Sequence, residues 1–214
     1  MKLALSRLHF PVTTLGPGRR IGVWFQGCKI RCDGCVSVDT WAEGKGVITV
    51  GDVVQSVLPW LPQADGITVS GGEPFDQAEA LDSLLQDIPL SSAQDVLVYS
   101  GYAFEHIEQL PAVRRGRIDA LITDPFLLEA RQTLPLRGSD NQRLHLLTER
   151  GQLAFSCFQI PMADNQRRLD VMFDNDGTVW LAGIPRPGDM HRLRHLLKSQ
   201  GHEVRTSVTS NTAR

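Results

Sequence analysis

No apolar run in this chain approaches the roughly 20 residues that a membrane-spanning helix needs, and its start lacks the apolar core of a secretory leader. Charge of one sign is missing too. Lys and Arg number 22 against 24 Asp and Glu, a net charge of −2, so no global basic field points to nucleic acid or to an anionic membrane. Internal repeats and low-complexity tracts are absent, and only Ser207 to Arg214 reads as a loose polar tail. These absences lead us to expect a cytoplasmic protein with neither a nucleic-acid nor a membrane partner. Its compartment is then reducing, which disfavours disulfides. What remains is ordinary globular material. Residues are 42% hydrophobic and 21% charged, with length enough for one domain and an appendage.

Cysteine is scarce but unevenly spent. Three of the four cysteines fall between Gly27 and Trp41, as Cys28, Cys32 and Cys35. Thiols seldom cluster so closely without a metal or a disulfide. A closed structural zinc site wants four ligands, and a fourth is missing locally; a distant His or Cys157 could complete one. A [4Fe–4S] cluster normally takes four cysteines, so a set of three leaves one iron open to a small molecule carrying an amine and a carboxylate. Both readings stand on the spacing alone. Cys157 itself falls in an apolar stretch and reads as a small buried hydrophobe.

The surrounding pattern alternates strands and helices. After an opening strand and loop over Leu3 to Leu15 and a turn holding Arg19 and Arg20, Ile21–Phe25 reads as a buried strand that leads into the cysteine loop. The two arginines are expected to be solvated. A helix is expected over Asp52–Leu61 and a strand over Gly66–Val69, followed by Ser70-Gly71-Gly72-Glu73-Pro74. Glycines at that place let backbone groups approach a ligand, and a carboxylate there suits a protonated amine. A helix over Asp76–Asp87, a strand over Asp95–Tyr99, the turn Ser100-Gly101-Tyr102, a helix over Phe104–Leu110 and a strand over Ile118–Ile122 follow. Arg114, Arg115 and Arg117 between them read as a solvated face. Strands joined by helices imply right-handed crossovers and a parallel sheet. With too few units for closure, the expected fold is α/β, an open partial (β/α) barrel. Its active residues would collect where strands end at their carboxyl side.

Beyond Asn141 the character changes. Strands are expected over Arg143–Leu147, Leu153–Ile160 and Leu169–Phe173, with a hairpin turn at Asp174–Gly177, a return over Thr178–Leu181, and a helix over Asp189–Ser199 stopped by Gly201. The division expected is therefore a core over 1–147 and a β-rich carboxyl-terminal extension with a helix over 148–214.

The cysteine spacing resembles the cluster loop of the radical S-adenosylmethionine (SAM) enzymes. Gly34, Thr40-Trp41, the entry Gly16-Pro17-Gly18-Arg19 and the run from Tyr99 to Glu105 resemble the activating proteins of anaerobic ribonucleotide reductase. Thr123-Asp124-Pro125-Phe126 and Arg137-Gly138-Ser139-Asp140-Asn141-Gln142 also resemble segments of that family, with Asp124 where Gly is usual and Asp140 where Ser is usual. The resemblance covers roughly Gly16 to Gln142. It implies that Cys28, Cys32 and Cys35 hold a [4Fe–4S] cluster and that Gly71, Gly72 and Glu73, with Ser100 on the same rim, bind SAM. It further implies reductive SAM cleavage and abstraction of a hydrogen atom. The implied partners are a glycyl radical enzyme, anaerobic ribonucleotide reductase first, and an electron donor such as flavodoxin or ferredoxin. A radical SAM enzyme acting on a small molecule or another polypeptide, and a non-catalytic zinc- or cluster-binding module, are the alternatives.

Overall fold

The computed structural model describes residues 1–163, 166–174, 178–186 and 188–202. Its strands are β1 (Lys2–Val12), β2 (Arg20–Phe25), β3 (Val47–Thr49), β4 (Gly66–Gly71), β5 (Asp95–Tyr99), β6 (Ala120–Thr123), β7 (Arg143–Leu146), β8 (Leu169–Phe173) and β9 (Val179–Gly183). Its helices are α1 (Val50–Val57), α2 (Ala78–Asp87), α3 (Phe104–Ile107), α4 (Pro111–Arg114), α5 (Glu149–Phe155) and α6 (Asp189–Ser199). A seven-stranded sheet runs in the order β3-β1-β2-β4-β5-β6-β7, and β8-β9 form a separate hairpin.

The heart of the large sheet is parallel. β2 pairs with β4, β4 with β5, and β5 with β6, all in the same sense, as crossover connections require. β1, β3 and β7 add antiparallel flanks, so the sheet is mixed where a parallel one was expected. The short strands β3 and β7 occupy its two edges.

Burial on both faces explains the continuous apolar runs of the central strands. Along β5 the side chains alternate. Val96 and Val98 join the core under the helices, with Ile67, Val69, Leu81, Leu84 and Val53. Leu97 faces the other way, into a second core with Ala120, Ile122, Leu144 and Phe155. On α2 the apolar stripe Leu81, Leu84 and Leu85 is buried, each side chain contributing about 2 kcal/mol by leaving water.

Several expectations need correcting. The first helix begins at Val50, because the Thr49 side chain caps it by accepting the Asp52 N–H at 3.1 Å. A 3-10 turn over Pro74–Gln77 precedes α2, which starts at Ala78. Phe104–Leu110 holds only the short α3; Pro111 opens a separate α4. The strand expected over Leu153–Ile160 is helical instead: α5 and then a 3-10 turn over Ser156–Gln159. Thr148 decides this by accepting the Gly151 N–H at 3.0 Å, an N-cap that starts a helix. Cys157 consequently sits exposed on that turn and is no buried hydrophobe. β8, β9 and α6 fall close to their expected spans, and Gly201 follows α6 with φ +86°. The hairpin turn at Asp174–Gly177 lies largely outside the described residues, as does the Ser207–Arg214 tail.

Arg20 departs furthest from its expected solvation. It is fully buried, and its guanidinium meets Asp95 Oδ1 at 2.5 Å, Thr68 Oγ1 at 2.6 Å and the Ile67 carbonyl at 2.7 Å. One side chain thereby ties β2, β4 and β5 at their amino-terminal ends. Arg115 and Arg117 are likewise not simply solvated; they bracket Asp82 on α2 at 2.5 and 3.0 Å.

The β8-β9 hairpin lies against the start of the chain. Asp170 accepts the backbone N–H and hydroxyl of Thr13 at 2.6 and 2.7 Å and those of Thr14 at 3.2 and 3.0 Å. Beneath this clamp Met172 and Ala182 pack with Val12 and Leu15. The Trp180 ring meets Trp24 edge-on, with centroids 5.1 Å apart, under the Arg7 guanidinium at 4.1 Å.

Candidate iron–sulfur site

The cysteine loop leaves β2 at Phe25 and comes back to its own base. The Gly27 N–H donates to the Thr40 carbonyl at 2.7 Å and the Cys28 N–H to that of Trp41 at 3.2 Å. Gln26 closes the neck by donating from Nε2 to the Ala42 carbonyl at 2.7 Å. Buried Thr40 donates its hydroxyl to the Ser37 carbonyl at 2.7 Å. The Thr40-Trp41 pair is thus the returning limb of the loop.

Gly71-Gly72-Glu73 presses against that base. The Gly72 N–H donates to the Phe25 carbonyl and the Glu73 N–H to that of Gly27, each at 2.8 Å. A Cβ on Gly72 would lie 2.1 Å from the Gly27 carbonyl oxygen, and one on Gly71, at φ +101°, 2.5 Å from that of Phe25. Their close backbone approach is therefore to the cysteine loop. The sequence pattern suggested a ligand as the thing approached.

Glu73 carries the assembly on to β5. It is 1% exposed. Its Oε1 accepts the Phe75 N–H at 2.9 Å and the Ser100 hydroxyl at 3.0 Å, and its Oε2 accepts the Gly101 N–H at 2.7 Å. Burial pushes its pKa up to about 7, although all three hydrogen bonds favour the charged form. Ile30 of the cysteine loop packs over Gly101, its Cδ1 2.7 Å from where a Cβ would sit, so a side chain there would have to push the Ile30 tip aside.

Asp76 is the residue that sequence reasoning overlooked, treating it only as a helix start. Its Oδ2 accepts the Lys29 N–H at 3.0 Å and its Oδ1 the Tyr102 hydroxyl at 2.7 Å. That second bond is the main reason the Tyr102 pKa is pushed up to about 12. Gln77 was missed as well; its Oε1 accepts the Ala4 N–H at 2.7 Å and its Nε2 donates to the Gln26 carbonyl at 3.0 Å. The signal available was position: both follow Glu73 within one turn, at the end of a strand.

The cysteine loop, the glycine–glutamate turn and Ser100-Gly101 are thus bonded into one rim at the carboxyl ends of β2, β4 and β5. The thiols themselves are free, with Cys28 buried and Cys32 and Cys35 partly so. Among the described residues, no three Cys, His, Asp or Glu side chains converge as a preformed metal-holding group. The three cysteines share a loop without a common centre.

Their chemistry nevertheless fits a cluster. Thiolate is the soft donor that iron–sulfur clusters use. Burial raises the pKa of Cys28 and of Cys35, and Cys35 is raised further by the neighbouring Cys32 and Cys28. A bound cation would relieve both effects. Trp41 adds an orphaned donor: its indole nitrogen is sealed from solvent without a hydrogen-bond partner, beside the Cys35 sulfur and close enough to favour the thiolate. For SAM the fit is narrower. Glu73 spends three acceptor positions on the protein, leaving about one of a carboxylate's four lone-pair sites for an amine.

The flanking segments settle two departures. Asp124 has φ +81°, a conformation that favours Gly, so the backbone suits the residue usual in the resembled segment. The side chain is held by Arg143, from Nε at 2.7 Å and Nη2 at 3.1 Å. Asp140 accepts the Thr133 and Leu134 N–H groups at 2.7 and 2.9 Å and so pins its own loop. Gln142 holds the Gly138 N–H at 2.8 Å and donates to the Asp124 carbonyl at 3.1 Å. Among the described residues, no helix is long and apolar enough to cross a membrane.

Comparison with known proteins places the chain in an iron–sulfur family. Residues 14–145 match the family described as "4Fe-4S single cluster domain". The anaerobic ribonucleoside-triphosphate reductase-activating protein of Enterobacteria phage T4 is 29% identical over 134 residues, covering 60% of this chain and 85% of that one. The pyruvate formate-lyase-activating enzyme of Staphylococcus aureus strain USA300 is 40% identical over 145 residues, 62% of this chain. The match spans 56% of that relative's length, little more than half.

Proposed function

Because the chain belongs to the 4Fe–4S single cluster domain family, we propose that it is a radical SAM oxidoreductase that activates a glycyl radical enzyme. Cys28, Cys32 and Cys35 hold the cluster; Gly71, Gly72, Glu73 and Ser100 form the SAM side of the rim. The observation that carries this reading is the bonding of the cysteine loop to Glu73, and of Glu73 to Ser100 and Gly101, at adjacent strand ends. When bound, the cluster and SAM together supply one-electron cleavage of the sulfonium carbon–sulfur bond, and with it a radical that takes a hydrogen atom.

This chain's own residues do the rest. Gln26, Thr40 and the Gly27 amide keep the loop neck closed. Glu73 offers its remaining lone pair to an ammonium group and fixes the Ser100-Gly101 turn. Ile30 and Tyr102 shield the rim from water. The sheet curls as an open partial barrel with residues 1–147 as the catalytic core and 148–214 as an extension, the enzyme works in the cytoplasm, and flavodoxin or ferredoxin delivers the electron.

Anaerobic ribonucleotide reductase is the first target, supported by the coverage of the phage relative. Pyruvate formate-lyase is the second, supported by the higher identity of the staphylococcal one. The test is anaerobic reconstitution with iron and sulfide, reduction by dithionite, and chromatography of 5′-deoxyadenosine against a Cys32→Ala control. Product above the control is expected, with glycyl radical formation on one of the two target enzymes but not the other. Bound zinc without acid-labile sulfide overturns the reading.

A further inference from the structure

Arg137 is 4% exposed. Among the described residues it forms no ion pair; its guanidinium has one hydrogen bond there, from Nη1 to the Phe158 carbonyl at 3.2 Å, and its Nε is buried without a partner. Asp140 lies within electrostatic reach but makes no ion pair with it; three of its acceptor positions hold Thr133 and Leu134. A guanidinium carries five N–H donors, and a buried charge left without a counter-charge is costly enough that proteins rarely keep one.

A second orphan stands nearby. The Tyr99 hydroxyl is sealed from solvent and, among the described residues, unbonded; its ring shares a core with Leu136 and with Phe158, whose carbonyl holds Arg137, and Arg20 and Arg137 are the cations it feels. Tyr99 packs with Leu136 in one core and with Trp180 in the other. Both groups therefore lie on the sheet face away from α1 and α2, under the turn after α5 and beside the β8-β9 hairpin. Tyr99 immediately precedes Ser100, so they border the rim from its opposite side. Among the described residues, the Phe158 carbonyl is the one acceptor hydrogen-bonded to Arg137, and no carboxylate pairs with it.

We propose that Arg137 and Tyr99 form a binding site for an oxyanion of carboxylate or phosphate type. The planar fork of Arg suits such a group, which it can hold bidentately, and the Tyr99 hydroxyl supplies a further donor. The site is built from the segment after β6 and the end of β5, and it needs neither cluster nor SAM. Failure of this inference therefore leaves the proposed activity untouched, and the reverse also holds.

The test compares thermal unfolding of the full chain without cluster, for the wild type, Arg137→Met and Tyr99→Phe, in acetate, inorganic phosphate and sodium chloride at equal ionic strength. Acetate or phosphate is expected to raise the wild-type melting temperature saturably, beyond chloride. The more effective anion identifies the class of ligand. Arg137→Met is expected to weaken that response by roughly tenfold or more in apparent affinity, and Tyr99→Phe to weaken it less. Arg137→Met should also melt above the wild type in chloride, because a ligand-binding arginine is kept at a cost to the empty protein. An anion response no greater than chloride, or one that survives Arg137→Met unchanged, overturns the proposal. Should that variant not fold, Arg137→Lys decides, since it keeps the charge but loses the fork; an undiminished response in it is equally fatal.

Discussion

Glu73 reaches from the end of β4 to the Gly101 N–H beyond β5, at 2.7 Å, from a position 1% exposed to solvent. Its backbone N–H holds the cysteine loop at Gly27 while its carboxyl holds the Ser100 turn, and its environment lifts its pKa to about 7.

The sign of the resulting pH dependence follows from which state holds the proton. Between the ordinary carboxyl value of 4.5 and about 7 the folded protein binds a proton that the unfolded chain has released. Stability should therefore fall as pH rises through that window and level off above it, by about 3 kcal/mol in total. Urea unfolding of the cluster-free protein from pH 4.5 to 8 should show the slope, and Glu73→Gln should flatten it. The same variant sets an amide NH2 against either the Gly101 N–H or the groups at Oε1, so local protection of Gly101 from hydrogen exchange should drop. A slope unchanged in Glu73→Gln would exclude Glu73 as its source.

Gly72→Ala should dislodge the loop more than the fold. Its Cβ would sit 2.1 Å from the Gly27 carbonyl oxygen, and backbone cannot step aside as a flexible side chain can. We expect a loss of about 2–4 kcal/mol, the scale of overpacking and backbone strain, together with iron incorporation below half that of the wild type. Gly44→Ala provides the control, since a Cβ there meets nothing within 4 Å, although φ +74° carries its own strain.

Trp41→Phe should leave cluster assembly intact and lower the cluster's reduction potential. Hydrogen bonds to the sulfurs help set that potential, and the indole N–H beside Cys35 has no other partner. A shift of about 50 mV is expected, close to the 59 mV that marks a tenfold change for one electron. Redox titration followed by electron paramagnetic resonance reads it directly. An unchanged potential and spectrum would remove Trp41 from the site.

Arg20→Met leaves Asp95 buried without its counter-charge. Breaking such a pair costs about 3–5 kcal/mol, visible as a lower urea midpoint. Arg20→Met combined with Asp95→Leu should recover part of that loss; a double variant no better than the single one would show that the hydrogen bonds to Thr68 and Ile67 dominate.

Asp170→Ala should free the β8-β9 hairpin while sparing the large sheet, because the four bonds to Thr13 and Thr14 converge on that one carboxylate. Limited proteolysis should cut between β7 and β8 at least tenfold faster, with SAM cleavage less affected. Equal cutting rates would mean that Met172 and Trp180 hold the hairpin unaided.

Much of this was legible beforehand because local patterns and packing agree. The central strands, α2 and α6 follow from apolar periodicity, with Gly201 stopping α6; the three cysteines stand out by their spacing, but among the described residues their side chains do not converge. What stayed hidden depended on partners distant in sequence. Arg20 reads as a solvated turn residue until Asp95, 75 positions away, is seen to face it. Leu153–Ile160 has strand-like apolar content, yet the Thr148 cap and the burial of Phe155 make it helical, with Leu153 left 86% exposed. The glycine pair was located from sequence, but what it approaches could not be. Asp124 shows the converse: a non-glycine residue holds a backbone conformation that favours glycine, its side chain tied to Arg143.

The sheet ends in short strands. β3 offers three residues and β7 four, and Arg143 on β7 stands in ion pairs with Glu105 and Asp124. A foreign strand seeking to extend the ladder would find at either border too few unpaired amides to zip onto and, on one side, a charge to desolvate first. The sheet thus keeps both its edges closed to indiscriminate pairing, and concentrated solutions of the protein should resist fibrillar self-association.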